Sequence, residues 1–520
     1  MRGAIAAGHP ITAVVGARVL ARGGNAVDAC IAAAFASWVA ESPLTGPGGG
    51  GFMAVHRGRD HSTRVLDFFV TVPGLGGDHE PGHADEMETV DVDFTPESSQ
   101  QFRIGAASCA VPGVVAGLAA AHRAYATRPW DELIAPAAEL ARDGIVLTSS
   151  QAYLHAILDL VLRHTEQGRE LYGPDGDRLT SGDVLALPDL ARTLELLAEH
   201  GAAALYRGEF ADAIVDHLDG RVTPRDLAEY RVVRRRPVRA AFLGHELDSN
   251  PPPSRGGLLI AYGLRLLDEL GAGGSPGSAA ALARLVEVMR EQGRALGERF
   301  FRDLYRGGLT KRLLDSAAVE EAAARIRARE PAPPEPAEAW GTTHISVVDA
   351  EDNAASLTAT TGSGSGVVVP GTGIHLNNML GEFDLAAVGR LPRPGARMTS
   401  GMAPTIVLRS GRARLVVGSA GSLRLRGAIV QIVLNAVAHG LPVEEAINRP
   451  RVHVEGPEVH CEGGFDAAEL DALEERGYEL VRWRHRNLYF GGAAAVEVSD
   501  DETLAAAGDP RRGGAGIVVE

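Results

Sequence analysis

The chain has 520 residues, 45% of them hydrophobic and 23% charged, the profile of a soluble globular protein with a substantial core. Its 67 acidic and 51 basic residues give a formal net charge of −16, which disfavours nucleic acid or an anionic membrane as the main partner and points to a small-molecule substrate. A single lysine, Lys311, leaves Schiff-base and P-loop chemistry almost nowhere to sit, and Cys30, Cys109 and Cys461, odd in number and far apart, form neither a zinc spacing nor a disulfide framework. No run of about 18 apolar residues occurs, and the start Met1-Arg2-Gly3-Ala4 lacks the pattern of a secretory signal, so a cytoplasmic location is expected.

From Ile11 to Val39 apolar residues recur at helical spacing, broken at Gly23-Gly24-Asn25, which predicts two helices joined by a tight turn. Gly46-Pro47-Gly48-Gly49-Gly50-Gly51 follows, then a short strand around Phe52 to His56. Residues 77 to 101 are acidic and polar; His79, His83, Asp85 and Glu86 are close in sequence but have no ligand spacing, and a solvated loop is expected there. Residues 111 to 330 read as mostly helical, with a β insertion near Val238 to Leu247 and a stiff turn at Asn250-Pro251-Pro252-Pro253-Ser254. The segment 329–341, rich in proline and charge, reads as an exposed linker. Beyond it the pattern turns to strands at Thr342 to Val348, Ala354 to Thr361, Pro404 to Leu408 and Ala413 to Val417. The coarse layout is therefore a helical region and a β-rich region joined by a mobile linker.

Gly46-x-Gly48-x-x-Gly51 matches the dinucleotide fingerprint in letters only, because it follows a helix and precedes a strand, the reverse of the required order. Close backbone packing is the expected role. No Gly-x-Ser-x-Gly elbow and no His-Glu-x-x-His helix occurs.

The informative stretch is Gly341-Thr342-Thr343-His344-Ile345-Ser346-Val347-Val348-Asp349. A linker that ends in glycine and runs into a threonine at the head of a strand is the arrangement self-cleavage requires. Gly341 tolerates the backbone angles needed while the Thr342 hydroxyl attacks its carbonyl. Hydrolysis of the resulting ester frees an α-amine whose unperturbed pKa of about 7.7 to 8.0 suits it to take the hydroxyl proton.

The same stretch belongs to an ordered series of motifs: Gly8-His9-Pro10, Gly23-Gly24-Asn25-Ala26-Val27-Asp28-Ala29, Gly48 to Phe52, Val111-Pro112-Gly113, Pro251-Pro252-Pro253-Ser254, Leu376-Asn377-Asn378, Met402-Ala403-Pro404-Thr405 and Asp509-Pro510-Arg511-Arg512-Gly513-Gly514. With these the chain resembles the γ-glutamyltransferase family of N-terminal-nucleophile hydrolases over nearly its whole length. The resemblance implies an α+β fold, a four-layer αββα sandwich with a helical periphery. It implies a proenzyme cut into a large chain, Met1 to Gly341, and a small chain, Thr342 to Glu520, which stay together as a heterodimer, and no obligatory cofactor or metal. It also implies Thr342 as nucleophile, Thr360 as the residue that positions it, and the backbone amides of Gly421 and Ser422 as the oxyanion hole, with Ser422 in place of the usual glycine.

At the substrate pocket the chain departs from the family pattern. The arginine that grips the glutamyl α-carboxylate aligns with Phe69, and of two helping serines Ser400 remains while Gly401 replaces the other. The α-amino readers align with Gly362, Met379 and Glu382, of which only the last keeps its charge. An aromatic ring cannot replace a bidentate arginine. The expectation is an autoprocessing acyl hydrolase whose substrate is not a plain γ-glutamyl amide, with C–C cleavage of an oxalyl-type side chain on a pyrroline carboxylate, as in antibiotic-pathway family members, as one such chemistry. A conventional glutathione hydrolase and a non-catalytic scaffold are the alternatives.

Overall fold

In the computed structural model the described residues are 2–77, 81, 84–95, 98–329, 341–382, 393–421 and 423–520. Two antiparallel sheets lie face to face at its centre. The first has seven strands in the order Ala515–Val519, Gly3–Ala7, Thr343–Asp349, Ala354–Thr360, Gly50–Arg57, Ser62–Phe68 and Val233–Arg235. The second has six, in the order Leu504–Gly508, Gly492–Val498, Arg412–Ala420, Thr405–Arg409, His245–Ser249 and Val238–Phe242. Helices Pro10–Ala21, Ala26–Ala40 and Val114–Tyr125 cover the first sheet, and Gly256–Leu270, Leu423–Val433 and Val443–Asn448 cover the second. Four layers need three apolar seams, and the buried residues sort into three clusters accordingly. The seam between the sheets is built from small or β-branched side chains such as Ala4, Ala6, Ala54, Val348, Ile406, Val416 and Val496, which let two pleated faces approach closely.

The paired helices near the start form as expected. Asn25 caps the second: its Oδ1 accepts the N–H groups of Val27 and Asp28, both at 2.9 Å, and Asp28 returns a bond to Asn25 N. That helix, Ala26–Ala40, is buried along its whole length. Its first N–H is bound by Asp349 Oδ2 at 2.9 Å, so the helix start is tied to the far end of the strand that Thr343 begins.

Both sheets interleave strands from before and after the linker, and Val238–Phe242 with His245–Ser249 are an edge of the second sheet and not an insertion. Of the linker, residues 330–340 lie outside the described residues, as do His79 and His83; Asp85 and Glu86 form a short exposed turn. Among the described residues no helix is long and apolar enough to cross a membrane.

Candidate active site

Antiparallel register builds the centre of the site. Thr343 pairs with Ala359, which sets Thr342 opposite Thr360, and Thr360 in turn pairs with Gly50 of the glycine loop. Thr342 is buried, and its Oγ1 donates to Gly341 O at 2.5 Å. Thr360 Oγ1 donates to the same carbonyl and accepts Gly362 N at 2.7 Å. Two hydroxyls thus converge on the carbonyl of the Gly341–Thr342 peptide.

Glycine is required on both sides of this contact. Gly341 has φ +130°, and a Cβ there would stand 1.6 Å from Gly362 O. Gly362 has φ +73°, and a Cβ there would meet Asn378 Oδ1 at 2.0 Å and Glu382 Oε1 at 2.7 Å. Glu382 Oε1 therefore stands close to Gly362, whose N–H is bound by Thr360 Oγ1, and Gly362 carries no side chain of its own.

The glycine loop packs backbone on backbone, as its spacing suggested. A Cβ on Gly48 would lie 2.3 Å from His375 O, and one on Gly49 would lie 2.3 Å from Thr360 O. Asn377 locks this loop, with Nδ2 donating to Gly48 O (2.8 Å) and Ala110 O (2.9 Å) and Oδ1 accepting Ala110 N (3.1 Å) and Met379 N (3.2 Å). Asn378 holds the neighbouring turn through Ser363.

An ion pair absent from the sequence-derived site lies behind Thr342. Arg512 Nη2 binds Glu41 Oε2 at 2.6 Å with both side chains buried, and Arg512 Nη1 donates to Thr342 O at 2.8 Å. Glu41 also accepts Thr343 Oγ1 (2.6 Å) and Thr12 Oγ1 (3.0 Å). The Asp509-Pro510-Arg511-Arg512 motif delivers that arginine. Asp509, fully buried, binds Arg451 (2.6 Å), Arg511 (3.1 Å) and Ala493 N (2.9 Å). Glu41 carried no sequence signal; Arg512 carried one only as a motif member.

His344 is no base for this site. Its Nδ1 is bound to Thr358 Oγ1 (2.8 Å) and its Nε2 to Ser346 Oγ (2.9 Å), and burial pushes its pKa down to about 3. Gly418 is a glycine because a Cβ there would lie 2.3 Å from this ring.

The remaining predicted residues divide. Gly421 has φ +116° at the turn between strand Arg412–Ala420 and helix Leu423–Val433, next to Gly491. Ser422 lies outside the described residues. Phe69 and Met379, each 1% exposed, belong to one apolar cluster, and Phe69 stacks on Phe52 with ring centroids 5.5 Å apart. Phe69 O accepts from Tyr230 Oη (2.8 Å) and from Arg397, whose buried guanidinium also reaches Tyr230 Oη (2.6 Å), Asp67 and Arg231 O. Ser400 O anchors the next turn, accepting Arg255 N (2.9 Å), Gly256 N (3.2 Å) and Ser254 Oγ (2.8 Å), while Gly401 packs on Gly256. Arg255, 2% exposed, is thus fixed beside the Ser400–Gly401 segment.

The αββα layers, with a buried threonine at the head of a central strand, define the class as N-terminal-nucleophile hydrolase. The chain belongs to the γ-glutamyltranspeptidase family: the family model described as Gamma-glutamyltranspeptidase matches residues 12–519. It is 32% identical over 543 residues to the glutathione hydrolase proenzyme of Escherichia coli (strain K12), spanning 98% of this chain and 90% of the relative. It is equally 32% identical over 546 residues to the acylase ACY 1 proenzyme of Pseudomonas sp. (strain SE83), spanning 100% and 94%. The fold is similar to that of cephalosporin acylase from Bacillus halodurans, with a TM-score of 0.83 at 24% identity over 100% of this chain and 96% of that one. Helicobacter pylori γ-glutamyltranspeptidase matches with a TM-score of 0.53 at 27% identity, over 61% of this chain and 90% of that one. The chain is therefore an enzyme of hydrolase or acyltransferase type.

Proposed function

We propose that this chain cleaves itself between Gly341 and Thr342, and that the two pieces, 1–341 and 342–520, stay together as an acylase-type hydrolase with Thr342 as nucleophile. The observation that carries the reading is the buried Gly341 carbonyl held by the hydroxyls of Thr342 and Thr360. Attack of Thr342 Oγ1 on the Gly341 carbonyl carbon, loss of the amide nitrogen and hydrolysis of the ester leave a Gly341 carboxylate and a Thr342 amine.

In turnover that amine takes the Thr342 hydroxyl proton as Oγ1 attacks the substrate acyl carbon, then returns it to the leaving group. Water hydrolyses the Thr342 ester by the same route. The amides of Gly421 and Ser422 stabilise the oxyanion in each half, and Thr360 orients Oγ1. Arg512, bound to Thr342 O, fixes the nucleophile's backbone. Both pieces supply strands to both sheets, which supports their remaining associated after cleavage.

The substrate is an acyl compound other than a plain γ-glutamyl amide. Phe69 and Met379 are packed apolar residues, and Arg397 is committed to Asp67, Tyr230 and two carbonyls. A glutamyl α-carboxylate buried against them without a partner would cost about 3 to 5 kcal/mol. Release of an oxalyl-type fragment from carbon uses the same nucleophile and oxyanion hole, and needs a leaving group able to hold the negative charge.

One observation favours the conventional glutathione hydrolase as a second reading. Arg255 is buried and its backbone N–H is bound to Ser400 O at 2.9 Å, so a different arginine neighbours a residue of the expected carboxylate site. Incubation with a chromogenic γ-glutamyl anilide and with a panel of other acyl donors, followed by intact mass of the 342–520 piece, separates the two. Acyl adducts on Thr342 from other donors with little anilide turnover support the first reading; robust anilide turnover that Arg255→Met abolishes establishes the second.

A further inference from the structure

At the end of the first sheet opposite Thr342, three side chains that the reaction does not use converge. His56 is the penultimate residue of strand Gly50–Arg57, His61 stands in the turn before strand Ser62–Phe68, and Asp352 lies in the turn that follows strand Thr343–Asp349. One ligand atom from each lies within 4.8 Å of the others. We propose that His56, His61 and Asp352 form a structural site for a zinc-type divalent cation that ties together the turns at this end of the first sheet.

His56 is the strongest pointer. It is fully buried; its Nδ1 is bound to Thr63 Oγ1 at 3.1 Å, and its Nε2 finds no hydrogen-bond partner among the described residues. A buried ring nitrogen left without a partner is unfavourable, and a cation removes that penalty. His61 stands beside it with Nδ1 donating to Gly411 O at 3.0 Å. His61 Nδ1–H is held by a carbonyl, and with Thr63 Oγ1 accepting from His56 Nδ1 each ring presents Nε2 as the lone-pair nitrogen, the usual orientation of a metal-binding imidazole. Asp352 Oδ2 is likewise buried and accepts no hydrogen bond among the described residues; Arg412 Nε stands 3.5 Å from it.

Two imidazoles and a carboxylate match zinc, cobalt or nickel and not the all-oxygen preference of calcium or magnesium. Ligands about 2.0 to 2.2 Å from a metal stand roughly 3.3 to 3.6 Å apart, so the group must draw in by about 1 Å. The mobile parts allow this. His61 is exposed on a turn, and Arg412, half-exposed and bound to Glu502 at 2.6 Å, can withdraw from Asp352. The nearby charges are committed elsewhere, Asp60 to Arg57 and Ser62 and Arg239 to Asp248.

The placement defines the role. Gly411 belongs to the turn between the second-sheet strands Thr405–Arg409 and Arg412–Ala420, so the cation ties turns of the first sheet and reaches the second only through the His61 hydrogen bond to Gly411 O. One of these is the turn that closes the strand headed by Thr343. The site lies roughly 20 Å along that strand from the reacting carbonyl, so it acts on stability and not on the chemical step.

The test uses the untagged, full-length processed protein stripped with a chelator and titrated with Co²⁺ and Zn²⁺. One equivalent of Co²⁺ is expected to give a visible absorption band of low-symmetry coordination, Zn²⁺ to displace it, and Zn²⁺ to raise Tm by several degrees. His61→Ala and Asp352→Asn alter surface turns and are expected to fold, and each should weaken Co²⁺ binding at least about 100-fold; loss of the supporting hydroxyl in Thr63→Val should weaken it about 10- to 100-fold. Hydrolase activity of the two turn variants should stay unchanged at 25 °C. No cobalt band and no Tm shift in the wild type, or undiminished binding in both turn variants, overturns the proposal.

Discussion

Arg512 and Glu41, 471 residues apart in the chain, close a buried ion pair at 2.6 Å behind Thr342, and the same arginine holds the Thr342 carbonyl at 2.8 Å. The pair couples the C-terminal motif to the end of helix Ala26–Ala40, and through Thr343 to the start of the central strand. Arg512→Met leaves Glu41 charged and buried, and is expected to lower stability by about 3 to 5 kcal/mol and to abolish cleavage at Gly341. The double variant Arg512→Met/Glu41→Leu should regain much of the stability in urea unfolding while remaining uncut on a denaturing gel. Recovery of cleavage in the double variant would show that the pair has no positioning role.

Thr342→Ala is expected to remain a single 54.5 kDa chain without activity, and Thr342→Ser to process slowly. Thr360→Val removes one donor from the Gly341 carbonyl and should slow processing about 10²- to 10³-fold, the usual effect of losing a single oxyanion donor. A time course of chain cleavage after refolding measures all three. Normal cleavage of the alanine variant would reassign the nucleophile.

Restoring the family's amine reader at position 362 should fail. Asn tolerates the left-handed backbone of Gly362, but its Cβ would press on Asn378 Oδ1 at 2.0 Å. Gly362→Asn is therefore expected to cost stability and to leave γ-glutamyl anilide turnover no higher than in the wild type. Pairing it with Asn378→Ala, which opens that space, should recover part of the lost Tm.

Acid should unfold this protein through its buried histidines. Burial pushes His344 down to about 3 and His375 and His155 down to about 4, and His375 Nε2 accepts Gly366 N at 3.1 Å, which protonation would break. The unfolded chain binds these protons near the ordinary value of about 6.5, whereas the folded chain does not. The stabilisation is thus present above about pH 6.5 and lost as pH falls towards 4, at about 1.4 kcal/mol per pH unit for each histidine. Urea-unfolding free energies between pH 7 and 5 should show this slope, and His375→Gln should make it shallower. A flat profile would mean that these rings titrate normally in the folded state.

Several parts of the fold could be read without the structure because they depend on local chemistry. The two helices broken at Gly23-Gly24-Asn25, the glycine loop as a site of backbone contact and a strand beginning near Thr342 each follow from residues within a few positions of one another. Position 342 drew attention for the same reason, as a threonine behind glycine at the head of a strand. The edge strands Val238–Phe242 and His245–Ser249 resembled an insertion because their sheet partner, Thr405–Arg409, lies some 160 positions further on.

By itself, then, the sequence determined the periodic elements and marked a threonine that follows glycine at the head of a strand, since spacing and local composition suffice for these. Only the tertiary structure decided what surrounds that threonine. Strand register put Thr360 against the Gly341 carbonyl, sheet interleaving brought Arg512 to Glu41, and packing made Phe69 and Met379 parts of an apolar core. Each of these contacts joins residues distant along the chain, and their distances are set by how the two sheets stack, which no local pattern encodes.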